Sequence, residues 1–250
     1  MAGPGETLTA IVMGRVDYGE ADRIVHLLTP GRGKVAVMAR SVRRSRKRYG
    51  GAMDLGNRVE VEVREGRGEL LTLTGVTLVH GHGHLRSDLD RMALATYATE
   101  LVGALARVGQ PAPRLFGLLE VALLVLDAAT KVPTDVWRWG LEAKALTFGG
   151  LTPRLDRCGV TGESVGTTPV VWDVASGGVV LASHGRGTPV TGAWCAQVEK
   201  ARRTPLADLV DVLPEPGPTW ILQDHLRWHT HKELKSRKLL ADLRNQAGGR

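Results

Sequence analysis

Cysteine is scarce: Cys158 and Cys195 are the only two in 250 residues, which leaves no room for a disulfide framework. Aromatic residues make up 4%, arguing against recognition built on many exposed stacking rings. The longest apolar run, Val121 to Leu126, falls far short of the roughly 20 residues a membrane span needs. The opening "MAGPGETL" has no basic region followed by an apolar stretch, so no secretory signal is expected. Catalytic signatures are missing as well. "GRGK" lacks the spacing of a phosphate-binding loop, no G-x-S-x-G occurs, and His225 and His229 stand four apart without the glutamate of H-E-x-x-H. Together these absences point to a soluble cytoplasmic protein with no membrane association and no evident catalytic centre.

What is present is positive charge. The formal net charge is +7 and the pI about 9.8, a balance that favours a polyanionic partner. The charge is concentrated in "ARSVRRSRKRYGG", where six basic residues occupy the nine positions from Arg40 to Arg48. Five of them are arginines, whose planar forks bind phosphate oxygens and lie flat on bases. A run of this kind is often only a solvated patch. Here it lies between two β-like segments, "KVAVMA" and "RVEVEV", so a folded platform would hold it on one side. Arg40, Arg43, Arg44, Arg46, Lys47 and Arg48 are the candidate contact set. Arg32 and Lys34, in the preceding hairpin, are expected to add charge at the same end. Tyr49 could stack on a base or pack beneath the loop.

The first 80 or so residues read as five short strands. Val59, Val61 and Val63 alternate with Glu60 and Glu62, the signature of a half-buried strand. A closed barrel of the OB type solves the edge-strand problem at this size. From Ser87, a candidate helix cap, apolar spacing changes to the helical period. "RLFGLLEVALLVLDAA" is apolar almost all round and is expected to be the most buried helix; Thr134 opens a third. After "FGG" the chain turns irregular and glycine-rich, then returns to helix. The fold class is α+β: an OB barrel over residues 1–82, a helical bundle over 83–150, a small insertion over 151–198 and C-terminal helices over 199–250.

Other clusters have blander readings. His80, His82 and His84 alternate without a nearby carboxylate or cysteine, as structural histidines at a strand end would. Asp17, Glu20 and Asp22 could hold Mg²⁺ for phosphodiester cleavage, the rival enzymatic reading, although a solvated turn accounts for them better. A general RNA-binding barrel is the third alternative.

In order along the chain, Tyr18, Glu20, Asp22, Ile24–Val25, Leu27, Thr29, Gly33–Lys34, the basic stretch running into Gly50–Gly51, "LTFGGLTPRLDRCG" and "HLRWHTHKELKSRKLL" resemble the RecO family of recombination mediators. The resemblance implies an OB domain, a helical domain and a zinc-ribbon-like insertion. It also implies a non-enzymatic activity: binding single- and double-stranded DNA, annealing strands, docking the acidic tail of single-stranded DNA-binding protein and, with RecR, loading RecA at the nucleoid. Many members carry two C-x-x-C pairs. Here the matching positions are Cys158 and Thr161, then Leu181 and His184, so only Cys158 and His184 could ligate. Structural zinc wants four donors. The ribbon is therefore expected to persist without zinc or any other cofactor, packed on residues such as Trp172, Val180 and Leu181. Recruitment of Cys195 is the one route to a residual metal site.

Overall fold

The alternation in Arg58–Arg64 is borne out residue by residue: Val59, Val61 and Val63 are buried while Glu60 and Glu62 face water. This strand is β4 of a computed structural model that describes residues 5–41, 49, 51–66, 68, 70–166 and 168–248, with side chains up to 243. The others are β1 (Glu6–Tyr18), β2 (Asp22–Thr29), β3 (Gly33–Ala39) and β5 (Leu70–His80). They close in the order β1-β2-β3-β5-β4, with β4 returning to β1. All pairings are antiparallel except the short β3–β5 contact, Ala36 to Leu70 through Met38 to Thr72. This is the expected OB-like barrel. Closure leaves no long unpaired edge, and its interior is filled by Val12, Val25, Leu27, Val37, Val61 and their neighbours.

Contacts divide the chain into two units, Met1–Asp127 with Lys238–Arg250, and Ala128–Arg237. The first carries the barrel, α1 (Leu89–Leu105) and α2 (Pro113–Ala128). Asp88, one residue past the predicted Ser87, caps α1 by accepting the amides of Asp90 and Arg91, whereas the Ser87 hydroxyl donates to the His84 carbonyl. The β2–β3 hairpin is pressed against the end of α1. A Cβ on Gly33, at φ 60°, would lie 2.2 Å from the Gln110 oxygen and 2.3 Å from that of Arg107. Only glycine fits there.

The second unit contains α3 (Asp135–Phe148), α4 (Gly192–Arg203), α5 (Ile221–Thr230) and an antiparallel sheet of β6 (Val170–Asp173), β7 (Gly178–Leu181) and β8 (Thr188–Val190) in the order β7-β6-β8. A last helix, α6 (Ser236–Gly248), begins at its end. The most buried helix is α3 rather than α2. Val121 and Leu124 of α2 are 45% and 41% exposed, while α3 buries ten residues, including Trp137, Trp139 and the ion pair Arg138–Glu142. Arg138 donates to Glu142 at 2.5 Å, to Asp135 at 3.0 Å and to the Thr219 carbonyl at 2.6 Å, with its guanidinium over the Trp220 ring. Nearby rings meet edge to face, Trp139 on Trp194, Trp194 on Trp172 and Trp172 on His225.

Candidate nucleic-acid interface

The basic segment leaves β3 through a sharp turn. Ser41 takes a left-handed conformation, φ 57°, and its amide donates to the Asp22 carboxylate at 2.8 Å. Asp22 is thus fixing where the loop begins. Asp17 accepts from Arg23 at 2.6 Å. Two of the three carboxylates considered for Mg²⁺ are therefore engaged, and among the described residues no group of three His, Cys, Asp or Glu converges as a metal site.

The return is held more firmly. Tyr49 is 4% exposed and belongs to the barrel interior together with Ala52 and Met53. Its ring serves as an anchor, which settles the two earlier readings in favour of packing. The buried Asn57 amide donates to the carbonyls of Gly51, at 2.7 Å, and Ala52, at 3.3 Å. Val12 and Gly56–Asn57 exchange backbone bonds of 3.0 and 2.8 Å beside the irregularity in β1 between Val12 and Gly14. Asp54 is bracketed by Arg15 at 2.9 Å and Arg86 at 3.1 Å. Both ends of the basic segment are thereby tied to a rigid closed sheet.

Arg40 is exposed, immediately after β3. Arg43, Arg44, Arg46, Lys47 and Arg48 lie outside the described residues. Arg32 and Lys34 stand at the opposite end of β3 from Arg40. Gly33 pairs with Thr29 and Ala39 with Arg23, so β3 separates its two termini, and Lys34 stands roughly 20 Å along the strand from Arg40. Arg32 is paired with Glu6 at 2.6 Å, and Lys34 donates to the Gly103 carbonyl at 2.9 Å. These two brace the hairpin.

Sequence reasoning passed over a ring at the loop's own end. Tyr18, 57% exposed, pairs with Asp22 at the tip of β1, beside the start of the basic segment. Its signal was its place: the last strand residue before the Gly19 turn, two along from the solvent-facing Val16.

The insertion keeps a sheet without the ligands of a ribbon. Trp172, Val180 and Leu181 are buried, as expected. Cys158 Sγ accepts amides from Thr161 at 3.5 Å and Leu181 at 3.4 Å, two of the positions where a zinc-bound pattern carries cysteine. The hydrogen bonds from Thr161, aided by Leu181, hold this thiol below the ordinary range. His184 engages the Ser183 hydroxyl at 2.9 Å, and Cys195 is buried in α4 with its thiol pushed up to about 12 by desolvation. A lone accepting sulfur and a thiol so hard to ionise do not fit a four-donor zinc site. In the histidine cluster, His82 is buried and desolvation lowers its pKa from the usual histidine range, its ring 4.9 Å from that of His80.

Comparison with known proteins agrees with the geometry. The family model described as Recombination protein O N terminal matches residues 4–82, and that described as Recombination protein O C terminal matches 86–238. The chain belongs to the recombination protein O family. Its relatives include the DNA repair protein RecO of Anaeromyxobacter dehalogenans (strain 2CP-C), 46% identical over 185 residues, covering 74% of this chain and 72% of the relative. The DNA repair protein RecO of Geobacter sulfurreducens is 34% identical over 241 residues, covering 94% and 96%. That of Pelobacter propionicus is 31% identical over 243 residues, covering 96% and 98%. The family places the chain among DNA repair proteins. Among the described residues no helix is long and apolar enough to cross a membrane.

Proposed function

We propose that this chain is a repair mediator that binds single- and double-stranded DNA through phosphate contacts of the basic segment and anneals complementary strands without catalysing a covalent step. The observation that carries the reading is the fixing of a segment with six basic residues in nine at both ends, by Asp22–Ser41 on one side and by Tyr49 and Asn57 on the other. Cations so mounted track a backbone without reading its sequence. They lower the repulsion between two approaching strands, and base pairing then supplies the free energy. Tyr18 offers a ring to an unpaired base at the same end. In the cell the protein would act in the cytoplasm at the nucleoid, docking the acidic tail of single-stranded DNA-binding protein and, with RecR, loading RecA.

Labelled complementary oligonucleotides incubated with the protein and Mg²⁺ test this directly. Duplex formed faster than in buffer, with both strands intact, is the expected result. Shortened strands would favour a nuclease, and preferential capture of RNA over DNA in competition would favour a general RNA-binding barrel.

A further inference from the structure

The chain has six tryptophans. Trp137, Trp139, Trp172 and Trp194 are at most 2% exposed, and Trp220 is half-buried beneath the guanidinium groups of Arg138 and Arg237, 4.4 and 5.4 Å from its ring centre. Trp228 stands apart at 57% exposure. An indole facing water forgoes a large burial energy, and tryptophan is enriched among the residues that dominate binding interfaces.

On α5, Ile221, Leu222, Gln223, His225 and Leu226 are buried, and Trp228, one heptad beyond Ile221, is exposed with Arg227 where the helix ends. His231 closes the helix in a left-handed conformation, φ 55°, one turn from Trp228 on the same face. Beyond it Lys232 and Lys235 are exposed, and Arg237 crosses back to the Asp224 carboxylate at 2.7 Å. That pairing occupies the acid on Trp228's own face and leaves Arg227 at 4.0 Å from it. Along the chain the indole is flanked by Arg227 and by the exposed Lys232 and Lys235, with Glu233 between the lysines, and the Asp224 carboxylate on its own face is already ion-paired.

A ring and cations in this arrangement match one ligand chemistry best. Unpaired bases expose π-faces that stack on indole, and the phosphates on either side meet the cations. A duplex offers no free base face. A membrane surface would ask for a broad apolar helix face, and that of α5 is already spent inside the unit. We infer that Trp228 is a stacking contact for single-stranded nucleic acid, carried by the second unit and independent of the barrel's basic segment. The inference rests on the nucleic-acid reading above and adds a site to it.

Tryptophan fluorescence of the full chain tests it, with oligothymidylate as the probe. Trp228 is the most solvent-accessible of the six indoles, so oligothymidylate should quench the emission and shield it from acrylamide. Trp228→Ala should abolish that shielding and weaken oligothymidylate binding roughly 5- to 100-fold. Its duplex affinity and the slope of its salt dependence should match wild type, since no charge is lost. Trp228→Phe should restore most of the binding. Oligothymidylate affinity unchanged in Trp228→Ala, with wild type binding normally, would overturn the inference alone. Equal loss of single-strand and duplex binding would reduce Trp228 to a structural role, and shielding by polyglutamate in place of oligothymidylate would assign the surface to an acidic peptide. Absence of any wild-type binding would instead remove the interface reading on which the inference stands.

Discussion

Tyr49 gives the sharpest separation of structure from function at the loop. Its ring is 4% exposed within the barrel interior, so Tyr49→Ala removes a large buried aromatic and leaves a cavity in the barrel core. Truncations of that size cost about 3–5 kcal/mol. With a urea dependence of about 1–3 kcal/mol per molar, the unfolding midpoint of the first unit should fall by roughly 1–5 M. Tyr49→Phe keeps the ring and should cost about 1 kcal/mol or less. Below the transition, DNA affinity and its salt slope should stay near wild type, because the cations remain. Equilibrium urea unfolding by circular dichroism, alongside fluorescence-anisotropy binding, measures both. Wild-type stability combined with a severalfold loss of single-strand affinity would refute the anchoring role and return Tyr49 to the surface as a stacking residue.

Three further outcomes follow from the second unit. Arg138→Met should destabilise it by about 3–5 kcal/mol by leaving the Glu142 carboxylate buried without its partner, and Arg138→Met with Glu142→Leu should recover most of that loss; denaturation of the three proteins decides it. Burial, together with the neighbouring His229, pushes the His225 pKa down to about 4. The unfolded chain takes up that proton near pH 6.5 and the folded one only near pH 4, so stability should fall across this window by up to about 3 kcal/mol, a slope that His225→Gln should flatten. Dialysis against zinc followed by elemental analysis should leave well under one equivalent bound, and a stoichiometric amount would contradict the fit of Cys158, His184 and Cys195 described above.

Much of the fold was legible because one physical signal dominated locally. The Val59–Val61–Val63 alternation has one structural solution, and β-like segments spaced by turns of the "TPGRGK" kind lead to a small barrel. Helix ranking was harder. Periodicity counts Arg138 and Glu142 as surface residues, yet they neutralise each other inside α3, while the near-continuous apolar text of α2 leaves Val121 and Leu124 in water. At the interface, the sequence identified the charged segment but not its geometry. Arg32 and Lys34 look adjacent to Arg40 in one dimension, and only the β2–β3 register shows that a full strand separates them. Tyr49 and Tyr18 are indistinguishable by composition, and opposite burial gives them opposite roles.

The most direct measurement is the affinity for single-stranded DNA across a salt series, comparing wild type with a variant carrying alanine at Arg43, Arg44, Arg46, Lys47 and Arg48. Each phosphate contact contributes about 0.7 to the logarithmic slope, so losing five should flatten it by up to roughly 3.5 and weaken binding most at low salt, with the barrel still folded. An unchanged slope and affinity, or wild-type protein that ignores DNA even in dilute buffer, would contradict a phosphate-gripping loop.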